Sequence, residues 1–591
     1  YIYTCPNAMA ISSTSLPTSS AYTYSPIHIL PFSNWYNTLN TWWNSTPTIS
    51  YSQLAQTPQL EPPDPAHIME TTRPPRPHWR IYWFALVLCC GGALFGYDSG
   101  VIGGVLTFQT FATSFSIHPS EKTRTSAIAV GIQQAGAFAG CFLIWPITNR
   151  HGRRLAMGLC SLIFSVGVIL ETVDSHSLPL FYVGRVICGL GIGGSATVIP
   201  IYMSEMSPKE IRGQLGSCYQ LTYTVGILVS YWVDYGVKGM GDEAGPRQWQ
   251  IPVGLQLVPG VLMGVGMFGV KESVRWLLGV GREAEAWECL VWIRGGEGEG
   301  VRGEFEDMRR GLEEERDERD GFRVWELVEA GNLKRMGIAG GLFLAQQSTG
   351  STALAYFGPQ FFELLVGDGD RTLLLTGIFG AIKVVACLVF VVFLSDRFGR
   401  RPLLAGGAGF MAVCMIATAA VVKTYPQPGD GTVTSSGIAT VALIYLDIIA
   451  YNFSWGPLPW PCASEIFPTR IREPGVAFGV GSQWLFNFVW SFSTPYIQES
   501  LGWGTFLLFG LLDVVIVGFT YFCLKETAGK SLEEINGMFD ARPDAEHGWK
   551  DPLDDATAPQ VPDERYQDAQ IENVESVSKH RTAHVESTGR S

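Results

Sequence analysis

The sequence predicts an all-α membrane protein of twelve transmembrane helices in two related six-helix halves, with a cytoplasmic helical insert between them. Three observations predict this. Hydrophobic residues make up 47% of the 591-residue chain and charged residues only 16%, too apolar a balance for a soluble protein of this size. Runs of about 20 mostly apolar residues, the length a helix needs to cross a bilayer, recur along the chain. A cationic phrase also occurs twice, as Asn149-Arg150-His151-Gly152-Arg153-Arg154 and as Asp396-Arg397-Phe398-Gly399-Arg400-Arg401. A second pair repeats at a similar offset, Ser204-Glu205-Met206 through Arg212 and Ser464-Glu465-Ile466 through Arg472. A membrane protein with two related halves points to a transporter whose ligand site lies between them.

Residues 1–79 form an N-terminal extension, rich in Ser, Thr, Pro, Tyr and Asn as far as Ile68. It lacks the charged start and apolar stretch of a signal peptide. Met69, just before Glu70-Thr71-Thr72-Arg73, is the expected biological start; a disordered cytoplasmic tail is the alternative. The first half is predicted over 80–270, with apolar runs near 81–106, 126–147, 155–173, 179–203, 214–236 and 249–270. Residues 271–335 form a charged insert in which Arg282–Trp287 reads as helix and Gly295-Gly296-Glu297-Gly298 as a break. The second half covers 336–524, with runs near 336–362, 372–395, 402–422, 437–461, 474–497 and 503–524. Residues 525–591 are an acidic cytoplasmic tail.

Orientation follows from the short loops. Arg150, Arg153, Arg154, Lys209, Arg212, Arg397, Arg400, Arg401, Arg470 and Arg472 fall on one side, which is therefore expected to be cytoplasmic with both termini. The other side is expected to hold little beyond Arg371 and Lys423. The net charge of -13 reflects acid in the insert and the tail, read as solvation rather than a partner site. The cysteines lie mostly inside apolar runs and read as small apolar residues, neither disulfides nor metal ligands. There is no phosphate loop, metal spacing or nucleophile constellation, so an enzyme, a cofactor and a nucleic-acid partner are not expected.

The motifs resemble those of the sugar porter family of the major facilitator superfamily, especially its fungal members. The resemblance covers roughly residues 80–540. It rests on Gly91–Gly104 in span one, Gly184-Arg185 and Pro200–Glu205 in span four, and Gln346-Gln347-Ser348-Thr349-Gly350 in span seven. Gly456-Pro457-Leu458-Pro459-Trp460 and Ser464–Pro468 in span ten, and Lys525-Glu526-Thr527 after span twelve, complete the set. It implies the major facilitator fold. One departure bears on substrate: the family's usual Asn after the span-seven glycine is here Thr352, a shorter hydroxyl donor. Another is Lys271-Glu272-Ser273-Val274-Arg275-Trp276, which lacks the family's prolines after span six but keeps its charged members.

Asp98 is a carboxylate inside an apolar span, a costly placement that marks function. By the resemblance it works with Arg185 as a proton-coupling switch, paired when ionised and released when protonated. A static ion pair is the plainer reading. The resemblance also implies substrate contacts at Gln220, Gln346, Gln347, Thr352, Trp460, Gln483 and Asn487, and a gate at Tyr356 and Phe357. Each amide could instead bond helix to helix. Lys383, central in span eight, could meet a substrate carboxylate but is expected rather to pair with Asp447 or Asp513. A cytoplasmic charge network is expected from Arg153, Arg154, Glu205 and Arg212 in one half and Arg400, Arg401, Glu465 and Arg472 in the other. The expected function is proton-coupled import of a monosaccharide or polyol acid such as quinate or a uronate. A facilitative uniporter and a non-transporting nutrient sensor are the alternatives. Expected partners are that substrate, protons and the bilayer, with the protein a monomer at the plasma membrane.

Overall fold

A computed structural model describes residues 78–173, 175–208, 211–319, 324–367, 371–394, 398–426, 434–468, 471–527 and 538–539. Met69, the N-terminal extension before His78, most of the acidic tail, and Lys209, Asp396, Arg397 and Arg470 lie outside the described residues. The described residues form helices and no strand.

In the first half, span one is α1 (Trp79–Val105), followed by a short α2 (Gln109–Ser114). Spans two to five are α3 (Lys122–His151), α4 (Arg153–Thr172), α5 (Leu178–Met206) and α6 (Arg212–Lys238). Span six is two helices, α7 (Arg247–Leu255) and α8 (Leu257–Gly266). The insert holds α9 (Val274–Gly279), α10 (Glu283–Arg294) and α11 (Glu299–Arg319), with the expected break starting at Gly295. Ser273 caps α9, its hydroxyl accepting from the Trp276 N–H at 3.2 Å.

In the second half, span seven is broken into α12 (Ala330–Ser348), α13 (Ser351–Tyr356) and α14 (Gly358–Val366). Span eight is α15 (Arg371–Val389), running into one π-helical turn at Phe390–Leu394. Span nine is α16 (Arg400–Thr424). Span ten is broken into α17 (Ser435–Phe453) and α18 (Pro459–Glu465), interrupted by Gly456-Pro457. Spans eleven and twelve are α19 (Arg472–Leu501) and α20 (Gly504–Cys523).

Among the described residues, nine helical segments are long and apolar enough to cross a membrane. The remaining three predicted crossings are spans five, seven and eleven. These carry Gln220, Gln346, Gln347, Gln483 and Asn487, and span seven is also broken. Amides and breaks of this kind are tolerated at membrane depth only where protein or a polar pathway satisfies them.

The packing repeats. Span one lies on five, two on four and three on six; correspondingly, seven lies on eleven, eight on ten and nine on twelve. Between halves, span two packs on eleven and five on eight. Apolar attraction does not hold helices together in lipid, so small residues that admit close backbone contact do more of this. The arginine-rich end and its opposite differ less sharply than the loops suggest: Lys122, Arg124, Lys238 and Arg247 stand at helix ends on the opposite side, beside Arg371 and Lys423.

Candidate functional site

Span one carries Asp98 to the first-half face of the interface between halves. The residue has no solvent exposure, and neither does Arg185 of span four. Arg185 Nη1 donates to Asp98 Oδ1 at 2.7 Å, and Arg185 Nε donates to the Ala129 carbonyl at 3.0 Å. Gln133 of span two closes the group: its Oε1 accepts from Arg185 Nη2 at 2.5 Å and its Nε2 donates to Asp98 Oδ2. A side chain that accepts from the cation and donates to the anion holds the pair in one geometry. Gly189, one turn beyond Arg185, makes this possible. A Cβ there would stand 2.1 Å from the Gln133 carbonyl oxygen, so any larger residue would push spans two and four apart.

A second acid joins the pair. Glu171 of span three is 1% exposed, with one carboxylate oxygen 3.7 Å from Arg185 Nη1. Neither Gln133 nor Glu171 was singled out by the sequence. The available signal was an ionisable residue in an apolar run, but Glu171 lies next to the end of its span and reads there as a loop acid.

Gln134, the next residue, reaches across the halves. Its Nε2 donates to the Tyr356 hydroxyl at 2.9 Å. The same hydroxyl lies 3.4 Å from Ser99 Oγ of span one and 3.5 Å from Asn487 Nδ2 of span eleven. Tyr356 and Phe357 are each 1% exposed, at the break between α13 and α14. Beside them the halves meet through Tyr231 Oη donating to the Ala355 carbonyl at 2.5 Å and Gln360 Nε2 donating to the Gly103 carbonyl at 3.2 Å. The expected gate residues thus stand where the end opposite the arginines is closed, and one hydrogen bond separates Tyr356 from the amide beside the Asp98 group.

Of the expected substrate contacts, Gln346, Gln347, Thr352 and Trp460 lie at or beside the breaks in spans seven and ten, with differing engagements. Gln347 Oε1 accepts from Thr352 Oγ1 at 2.8 Å. Gln346 Nε2 donates to the Trp455 carbonyl at 2.9 Å and the Gly456 carbonyl at 3.2 Å, tying the two breaks together; its Oε1 has no partner. Gln483 Oε1 is likewise buried without a partner. Trp460 sits edge-on to Phe343 at 5.2 Å and, with Gln220 and Thr352, keeps part of its surface exposed. Buried amide oxygens without partners among polar neighbours are acceptors open to hydroxyl groups.

Gly350 makes the break in span seven. Its φ is +83°, and a Cβ there would lie 2.8 Å from the Phe509 ring. Gly350→Ala is expected to cost about 1–3 kcal/mol from the left-handed backbone alone. Thermal unfolding of the purified protein in detergent checks this; unchanged stability would remove the break from the list of required features.

Lys383 does not form the expected charge pair. Its Nζ lies 5.4 Å from the centre of the Tyr223 ring, while the buried oxygens of Asp447 and Asp513 have no hydrogen-bond partner. At the arginine-rich end, Arg153 binds Glu205 with both its Nε at 2.9 Å and its Nη2 at 2.7 Å. Ser273 Oγ donates to the same carboxylate at 2.5 Å. Arg400 pairs with Glu465 at 3.4 Å, and Thr527 Oγ1 donates to Glu465 at 2.7 Å. Both pairs lie within a half, so they brace helix ends here rather than clamp one half to the other. Arg154 donates from Nε to the Met267 carbonyl at 2.8 Å and Arg401 from Nη2 to the Tyr521 carbonyl at 2.6 Å. Arg472 Nε donates to the Phe467 carbonyl at 3.3 Å, and Arg212 begins span five with its side chain exposed. Burial pushes the Glu272 carboxyl above its ordinary range, while backbone N–H groups of Ser273, Arg154 and Arg153 pull it back. Glu526 repeats that role in the second half, accepting from the N–H groups of Arg400 at 2.9 Å and Arg401 at 3.0 Å.

Residues 84–539 match the family described as sugar (and other) transporter. A quinate permease of Emericella nidulans is 35% identical over 481 residues, covering 79% of this chain and 90% of the relative. A probable quinate permease of Aspergillus oryzae is 35% identical over 484 residues, covering 79% and 89%. Among solved structures, the proton:xylose symporter XylE bound to 6-bromo-6-deoxy-D-glucose is 26% identical with a TM-score of 0.65, covering 78% of this chain and 99% of that one. An inward-open form of XylE from E. coli superposes with the same TM-score, identity and coverage.

Proposed function

Because the chain belongs to the sugar transporter family, we propose that it imports a monosaccharide or a sugar-like polyol acid, such as quinate or a uronate, together with a proton. It is a multi-pass membrane protein and its relatives are transporters, not enzymes. The observation that carries the coupling is Asp98, fully buried, bonded to Arg185, and linked through Gln133 to an amide that touches the other half. A carboxylate in this position has two bonding states open to it. Ionised, it holds Arg185 and accepts from Gln133. Protonated, it no longer attracts the guanidinium, and Gln133 loses the geometry that places Gln134 against Tyr356. Tyr356 ends the short helix α13 in broken span seven, so proton loading biases the closure of the end opposite the arginines. A ligand bound at the breaks in spans seven and ten biases the same element, which is what coupling requires. The quinate permeases among the relatives favour an acid polyol, and the likeness to XylE favours proton symport.

The same reading places the arginine-rich end in the cytoplasm, with both termini, in the plasma membrane. The test is uptake of labelled glucose, fructose, galacturonate and quinate into proteoliposomes with and without an inward proton gradient. Accumulation of one compound above its outside concentration, only when the gradient is present, is expected. Uptake that stops at equal concentrations whatever the gradient makes the protein a uniporter instead.

A further inference from the structure

We propose that Lys383 is the group that recognises a substrate carboxylate, so that the transported ligand is an acidic polyol rather than a neutral sugar. This rests on the transport reading above. Lys383 is 2% exposed in the middle of span eight. An ammonium at that depth is costly unless an anion or a polar environment meets it. Among the described residues no carboxylate pairs with it; its Nζ faces the Tyr223 ring at 5.4 Å, and Cys387 is one turn away. Asp447 and Asp513, the acids able to neutralise it from the second half, keep both carboxylate oxygens without a partner. The protein therefore buries a cation and leaves its counter-ion unsupplied.

Its surroundings say where that counter-ion comes from. Tyr223 lies in span five one turn beyond Gln220, and both keep part of their surface exposed. The Tyr223 hydroxyl neighbours Ser99, Tyr356 and Tyr451, and Tyr451 in turn neighbours Thr352, which bonds Gln347. Lys383 thus borders the set of neutral hydroxyls and amides suited to a polyol's hydroxyl groups. The nearby Arg185 is already engaged by Asp98, Gln133 and the Ala129 carbonyl. A lysine on a flexible stem resting against an aromatic face is held by a weak cation–π contact, which a carboxylate can outcompete. A neutral hexose needs no such group. A ring polyol carrying one carboxylate needs one cation and several neutral partners, which is the set assembled here.

The experiment measures uptake of labelled quinate, galacturonate and glucose by the full-length protein in proteoliposomes. Competition by quinate and by its uncharged methyl ester is measured alongside. The wild type is expected to take up an acid and to prefer quinate to the ester by at least tenfold. Lys383→Met is expected to raise KM for the acid at least tenfold and to abolish that preference, while Lys383→Arg retains most of it. Quinate and galacturonate share the carboxylate, and the uptake arm tells which ring the site accepts. Equal inhibition by acid and ester in the wild type overturns the proposal without any variant. So does an unchanged preference in Lys383→Met. Uptake of glucose but of neither acid overturns the carboxylate assignment and leaves the transport reading standing; a wild type that moves none of the panel overturns both.

Discussion

Asp98→Asn is expected to end accumulation against a gradient while leaving exchange of substrate across the membrane measurable. The amide keeps the size and one acceptor of the carboxylate but carries no charge and takes up no proton. It imitates the protonated acid permanently. Arg185 then loses its 2.7 Å charged partner, and the cycle no longer alternates between a bonded and a released guanidinium. One proton moving down one pH unit contributes about 1.4 kcal/mol, a tenfold ratio of inside to outside substrate. The wild type is therefore expected to reach a ratio of roughly ten per pH unit with a monovalent acid, because acid and proton enter as a neutral pair. A neutral sugar would add a dependence on membrane potential of about 2.3 kcal/mol per 100 mV. Asp98→Asn is expected to fall to a ratio of about one in both cases when the membrane potential is held at zero. Proteoliposomes with imposed pH and potassium gradients measure this directly, and counterflow of labelled substrate checks that the variant still exchanges. A variant that still concentrates substrate with Asn at 98 sinks the role given to this carboxylate.

The fold was legible because its signals are long. Twelve apolar runs and two copies of the same cationic phrase survive without knowledge of any contact. Asp98 was legible for a related reason, since a charge inside an apolar run stands out, whereas Arg185 follows from the family resemblance. Gln133 and Gln134 were not, since uncharged amides barely interrupt span two, and their roles depend on the approach of span four at Gly189. Glu171 was hidden by its place beside the end of span three. Lys383 stands out in span eight, but composition carries no information on which helix faces which. Span eight packs on span five as well as on span ten, and the ammonium lies over Tyr223 of span five, away from the acids of spans ten and twelve. Glu205 and Glu465 were recognisable as charged partners for arginines. That their pairs close within each half is a matter of helix-end geometry, which the repeated phrase does not encode.

Arg185→Gln is expected to be the most destabilising single change in the site, and the pattern of its rescue tests whether Asp98, Arg185 and Glu171 form one charge unit. Asp98 and Arg185 have no solvent exposure and Glu171 has 1%. One guanidinium balances one carboxylate, so the trio reaches neutrality with a single proton on its acids. Removing the guanidinium leaves two buried acids without a cation. It also strips a donor from Gln133 and one from the Ala129 carbonyl. Breaking a buried pair from one side costs about 3–5 kcal/mol, chiefly through the charge left unpaired. Replacing every charged member by neutral groups of similar size is close to neutral in comparable settings. Arg185→Gln combined with Asp98→Asn and Glu171→Gln is therefore expected to recover most of the lost stability, though not proton-driven uptake. Adding Asp98→Asn alone is expected to recover part of it, and the further gain from Glu171→Gln measures how far the second acid belongs to the unit. Thermal unfolding of the four purified proteins in one detergent gives the comparison. If the triple variant is no more stable than Arg185→Gln, the loss comes from missing side-chain packing, and the three residues do not act as a charge group.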